Sequence, residues 1–171
     1  SFHVTGVQTC ALPIFTVLAG LRVSEVAGLT IGDVRDADGT VKSEIYLSAD
    51  RVKHGHARTI YLNQRLQAEI ADYICVRTWL FESQPLFCTN RGLRHAFTAN
   101  TLTQHFHYLY KRAGVAGASS HSGRKTFITS LASQGVSVFV LASLAGHKSI
   151  STTQRYVSVN DEIKRRAVEL V

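Results

Sequence analysis

Cysteine is scarce in this chain, and its three copies, Cys10, Cys75 and Cys88, share no paired spacing. That excludes a disulfide framework and a cysteine zinc module, and it fits a reducing compartment, so the cytoplasm is expected. No apolar run approaches the roughly 18 residues of a membrane span. The N-terminus lacks the basic stretch of a secretory signal. Internal repeats and low-complexity tracts are missing too. Gly114-Val115-Ala116-Gly117 lacks the Lys and Ser/Thr of a phosphate-cradling loop, so no nucleotide cofactor is implied. His105 and His107, two apart on a helical pattern, point in different directions and have no third ligand placed by sequence, so no metal is implied.

Acidic side chains are also in short supply, with 12 Asp and Glu against 19 Lys and Arg among 171 residues, a net charge of +7. Such a balance favours a polyanionic partner. The length suits one domain with a proper buried core. Residues 4 to 14, Val-Thr-Gly-Val-Gln-Thr-Cys-Ala-Leu-Pro-Ile, read like a translated sequencing adapter. Residues 1–14 are therefore set aside as non-native, and the domain is taken as 15–171.

Periodicity along the rest predicts an α+β fold that is mainly α. Phe15 to Leu21 reads as the end of a helix, broken near Gly20, and Ser24 as the cap of a short helix. Residues 44–47 and 58–62 are rich in β-formers around Lys53-His54-Gly55-His56, which predicts a hairpin; 86–89 reads as a third short strand. Asn63 should cap a helix reaching about Trp79, with Leu66, Ile70, Tyr73 and Ile74 inward. Further helices are expected over about 100–113, with Leu102, Phe106 and Leu109 inward, and over 122–134, carrying Phe127, Ile128 and Leu131. Another is expected from a Ser137 cap to Gly146, and a last one over 161–170. Ser151 with Gln154 reads as a capping box for the segment holding Tyr156.

The chemistry sits in a scattered set. Arg22 lies in Gly20-Leu21-Arg22-Val23-Ser24-Glu25, His121 and Arg124 are one helical turn apart, and His147 precedes Tyr156 by nine residues. Attack by an oxygen on a phosphodiester builds charge on two non-bridging oxygens. Two guanidiniums meet that need with planar, permanently charged donors. Arg22 and Arg124 are the candidates. His121 would reach the same phosphate or take the phenol proton, and His147, after the break at Gly146, would donate to another oxygen. A free phenol ionises near pH 10, at about its reference value, so Tyr156 needs cations beside it to become a nucleophile. The leaving 5′-oxygen needs an acid; Lys53 at the hairpin tip is the candidate, with Arg51 as a stand-in.

In order and spacing these motifs, with Leu144-Ala145-Gly146-His147-Lys148-Ser149-Ile150 and Thr152-Thr153, resemble the catalytic domain of tyrosine recombinases, the phage-integrase family. The resemblance covers about residues 15 to 160. It implies a helical core with a small three-stranded antiparallel sheet, the integrase-like DNA breaking and rejoining fold. It also implies a catalytic set of Arg22, Lys53, His121, Arg124, His147 and Tyr156, a 3′-phosphotyrosine intermediate and no cofactor. The implied partners are double-stranded DNA and further copies of the chain; the C-terminal helix, with its Ile163, Ala167, Leu170 stripe, would either dock on a neighbouring protomer or fold back on its own chain. Lys125 stands where relatives often carry His or Arg, with charge kept. The family's N-terminal DNA-clamping (core-binding) domain is expected to be missing by truncation. Two other readings remain open from sequence: a DNA-binding remnant that turns over nothing, and a relaxing enzyme like the type IB topoisomerases.

Overall fold

The computed structural model describes residues 2–52, 56–77, 81–89, 95–157 and 161–170, with side chains described from residue 11 onward except those of 162 and 163. The helices are α1 (Phe2–Ala19), α2 (Val23–Ala27), α3 (Ile31–Val34), α4 (Gln64–Cys75), α5 (Ala99–Arg112), α6 (Ser122–Ser133), α7 (Val138–Ala145), α8 (Ile150–Gln154) and α9 (Asp161–Val168). Strands β1 (Glu44–Leu47) and β2 (Arg58–Tyr61) form an antiparallel pair.

Helix α1 lies at the centre. Leu12, Phe15 and Ala19 recur at helical spacing and are buried. Phe15 meets Phe87 edge-on, with ring centroids 5.5 Å apart, and Phe87 stacks on Tyr73 of α4 at 5.2 Å. The Tyr73 hydroxyl donates to the Leu86 carbonyl at 2.9 Å, so the aromatic cluster buries no orphaned hydroxyl. Ala11 and Leu12 belong to this core, so residues that sequence reading set aside from the fold are part of its packing. Across α1, Gly123 of α6 comes so close that a Cβ there would lie 2.0 Å from Thr16 Oγ1.

Helix α4 buries the stripe its periodicity announces, Leu66, Ile70, Tyr73 and Ile74, and Asn63 accepts from the Leu66 amide at 2.9 Å as its cap. It ends at Cys75, short of Trp79, which lies outside the described residues. Arg77 turns inward instead and donates to the Leu86 carbonyl at 2.7 Å. The inward residues of α5 are Leu102 and Phe106, with Leu109 half-buried; those of α6 include Ile128, with Phe127 and Leu131 half-buried.

Three expectations need correction. The sheet is two-stranded among the described residues, not three-stranded. The 86–89 segment makes only isolated pairings, and the Leu86 amide donates to the Leu29 carbonyl at 2.8 Å. Leu86 and Phe87 are both fully buried, and the Leu86 carbonyl is taken by the Tyr73 hydroxyl and the Arg77 guanidinium rather than by a neighbouring strand. The second concerns α2, whose cap is Arg22 rather than Ser24. The carboxylate of Glu25 accepts from the Arg22 amide at 2.7 Å and does the capping from within. Third, α8 starts at a Ser149 cap, not Ser151, and the two hydroxyls bond each other at 2.6 Å.

Candidate active site

Helix α7 ends in a way its sequence dictates. Ser137 caps its start, accepting from the Phe139 amide at 3.3 Å. Gly146 at its end has φ 60°, a left-handed conformation that favours glycine. The His147 amide donates back to the Ala142 carbonyl at 2.9 Å and that of Gly146 to Ser143 at 3.0 Å, a Schellman motif that hands His147 to a fixed place just past the helix.

The last carbonyls of α7 have no intrahelical donors. Two arginines from distant segments supply them. Arg124 Nη2 donates to the Ala145 carbonyl, and Arg22 Nη2 to that of Gly146 at 3.0 Å. Arg124 Nη1 also donates to the Gly20 carbonyl at 2.6 Å, tying α6 to the turn after α1. The two guanidiniums thus meet at one helix end, whose dipole favours positive charge. Burial lowers the Arg124 pKa to about 10, with the charge of Arg22 pushing the same way; the group stays protonated at neutral pH.

His147 faces this cluster. Burial first, then the charges of Arg124, Arg22 and Arg58, lower its pKa to about 4, so its ring is neutral at pH 7. Its Nδ1 bonds Thr153 Oγ1 at 2.8 Å. Its ring lies nearly parallel to that of Tyr156, 22° off, with centroids 6.3 Å apart. Tyr156 sits just past α8, its amide bonded to the Thr153 carbonyl at 2.9 Å. Arg22, Arg124, His147 and Tyr156 therefore converge from four separate stretches of chain.

The other two sequence candidates stand differently. His121 caps the start of α6 with its side chain exposed and unpartnered among the described residues, one turn from Arg124. Lys53 lies outside the described residues. Its stand-in, Arg51, is held elsewhere, with Nη1 and Nη2 each 2.7 Å from the Asp33 carboxylate and Nη2 2.8 Å from the Gly28 carbonyl.

Two further side chains complete the cluster: Glu25, already part of the Arg22 motif, and Arg58, which escaped the motif reading. Glu25 is buried at 2 % exposure and accepts from Arg22 Nη1 at 2.8 Å. Arg58, the first residue of β2, donates to both Glu25 oxygens, at 2.6 and 2.8 Å. Burial works against the Glu25 carboxylate, but the hydrogen bond and charge of Arg58, backed by Arg22, hold its pKa below the usual value. Period-two alternation carried a signal. Arg58 shares the inward face with Ile60 and pairs across the ladder with buried Leu47, and an arginine at an inward strand position must find a buried partner.

Comparisons with known proteins bear on the family and the fold. The model of the phage integrase family matches residues 5–162. Tyrosine recombinase XerC of Pelobacter propionicus is 32 % identical over 144 residues, 83 % of this chain and 44 % of its own. Tyrosine recombinase XerA of Pyrococcus furiosus is 32 % identical over 151 residues, 88 % of this chain and 50 % of its own. The chain spans about half the length of the curated relatives it matches. Among solved structures, a XerA recombinase superposes with a TM-score of 0.72 at 26 % identity, over 97 % of this chain and 59 % of that one. The Tn1549 transposon integrase bound to a circular intermediate DNA superposes at 0.75 and 22 % identity, over 94 % of this chain and 58 % of that one, a likeness of fold. Sequence, fold and the meeting of the four motif side chains agree: this chain belongs to the phage integrase family, the tyrosine recombinases.

Proposed function

We propose that this chain carries the strand-cleaving and rejoining chemistry of a site-specific DNA recombinase. One observation carries the reading: two guanidiniums 102 positions apart, Arg22 and Arg124, donate to the consecutive carbonyls of Ala145 and Gly146, beside a neutral His147 and the Tyr156 ring. Each guanidinium has five N–H donors, and the carbonyl bonds leave others free for an anion. A scissile phosphate at this helix end would receive donors from Arg22, Arg124 and His147. The Tyr156 oxygen would then attack phosphorus as the bond to the 5′-oxygen breaks. The phenol proton leaves to a base, the role assigned to exposed His121. The departing 5′-oxygen takes a proton from an acid, the role the family pattern assigns to Lys53. The product is a 3′-phosphotyrosine and a free 5′-hydroxyl. A second strand's hydroxyl reverses the step, so the bond is re-formed with no nucleotide spent.

Recombination between two sites requires several copies of the chain on duplex DNA. The exposed Ala167 and Leu170 of the C-terminal segment support exchange of that segment between protomers; the Ile163 side chain lies outside those described. The DNA of chromosomes and mobile elements, and cysteines that form no disulfide among the described residues, suit action in the cytoplasm.

A nicked duplex that traps the covalent intermediate tests the chemistry. The wild-type chain should form a denaturation-resistant DNA adduct, and Tyr156→Phe should form none. No adduct from wild type would favour a DNA-binding remnant. Relaxation of supercoiled plasmid without recombinant products would favour a topoisomerase-like enzyme.

A further inference from the structure

Thr153 is fully buried on α8, three residues before Tyr156. Its Oγ1 lies 2.8 Å from His147 Nδ1, and it has no other hydrogen-bond partner among the described residues. We propose that Thr153 is a positioning residue whose hydroxyl donates to His147 Nδ1, fixing the imidazole as its Nε2–H tautomer and aiming that N–H into the arginine pocket.

The direction of the bond follows from where the protons go. A buried hydroxyl that accepted from Nδ1–H would leave its own proton unpaired, a desolvation penalty with nothing to offset it. It would also leave Nε2 a bare lone pair, unable to donate to a phosphate oxygen. With the hydroxyl donating, its buried proton is paired, and Nε2–H is left to donate outward. The choice matters because the ring is neutral: an imidazolium donates from both nitrogens, while a neutral imidazole donates from one, set by what the other nitrogen meets. His147 is kept neutral by burial and its three arginine neighbours. The same bond ties the His147 ring to the helix leading into Tyr156, whose ring lies alongside it. The aim at a phosphate rests on the recombinase reading; the tautomer itself does not.

The test separates the two. Long-range proton–nitrogen correlation spectra of the free full chain near neutral pH report the tautomer, with His147 signals identified by their loss in His147→Gln. Wild type should show protonated Nε2 and unprotonated Nδ1. Thr153→Val, nearly the same shape without the hydroxyl, should show a mixture of tautomers. Single-turnover cleavage of the nicked duplex should fall roughly tenfold in Thr153→Val, the size of one net hydrogen bond, with DNA affinity unchanged. Thr153→Ser, which keeps the hydroxyl, should recover both the tautomer and most of the rate. A wild-type spectrum with the proton on Nδ1 overturns the proposal, as does Thr153→Val cleaving at the wild-type rate or Thr153→Ser behaving like valine. If wild type forms no adduct, it is the recombinase reading that fails, and the spectrum still decides the direction of the bond. Melting temperatures of both variants guard against a packing defect, which would lower stability without restoring the tautomer in serine.

Discussion

Glu25 is the hub of the arginine cluster. Its carboxylate, 1 % exposed at the side chain, holds Arg22 on one side and Arg58 on the other. A buried carboxylate survives only when donors replace its lost water. Arg58 contributes two of those donors and keeps only 8 % of its own side-chain surface exposed. Arg58→Ala should therefore destabilise the chain by about 3–5 kcal/mol, the cost of breaking a buried pair and leaving one charge behind. Urea unfolding measures it. Arg58→Lys keeps the charge but not the two-pronged geometry and should recover only part of the loss. A loss below about 1 kcal/mol for Arg58→Ala would mean that Arg22 alone sustains the Glu25 carboxylate.

The element that matters most is the C-terminus of α7. Its Schellman turn sets the direction in which His147 leaves the helix, and its two open carbonyls gather Arg22 and Arg124. Gly146 is required twice over. Its φ is 60°, and a Cβ would lie 2.8 Å from Arg58 Cδ. Gly146→Ala should cost about 1–2 kcal/mol from the left-handed backbone alone, with further loss from pressing on Arg58. The DNA adduct yield should drop more steeply than stability, because His147 and both guanidiniums shift together. Denaturant titration beside the nicked-duplex assay checks this. Equal losses in the two would argue that α7 is scaffold only.

At the scale of the whole molecule, the first and last thirds of the chain are fastened across α1, α6 and α7. Gly123 brings α6 against Thr16, and Arg124 bridges the Gly20 and Ala145 carbonyls. The pocket therefore exists only in the folded chain, and its titration registers as stability. The folded pKa of His147, about 4, lies below its ordinary value of 6.5, so the unfolded chain binds the proton more readily. The stability is fully present above pH 6.5 and is lost as pH falls toward 4. His105, also lowered by burial, adds to the same window. Glu25, held below its ordinary 4.5, adds a further loss at lower pH. Melting temperature should thus decline from pH 6.5 to 4, and His147→Asn should flatten part of that decline while leaving the loss below 4.5. A wild-type curve flat across the upper window would contradict the neutral, half-buried His147.

The sequence by itself determined the elements and the family. Helical spacing of Leu66, Ile70 and Tyr73, the Asn63 and Ser137 caps and the Gly146 stop are local matters of backbone geometry and side-chain reach, readable within a few residues. The order of Arg22, His121, Arg124, His147 and Tyr156 was legible because that combination is rare. What lay beyond a local window was not. The 86–89 segment looks like a strand, yet among the described residues the sheet stops at two strands, and the Leu86 carbonyl is taken by the Tyr73 and Arg77 side chains instead of a ladder partner. Arg58 reads as a polar residue opening a strand until Glu25, 33 positions away, is seen beneath it. Only the tertiary structure decided that the two guanidiniums share one helix end and that His147 is neutral with a buried hydroxyl on its far nitrogen. Desolvation and charge pairing depend on which segments meet in space, and no local pattern along the chain encodes that meeting.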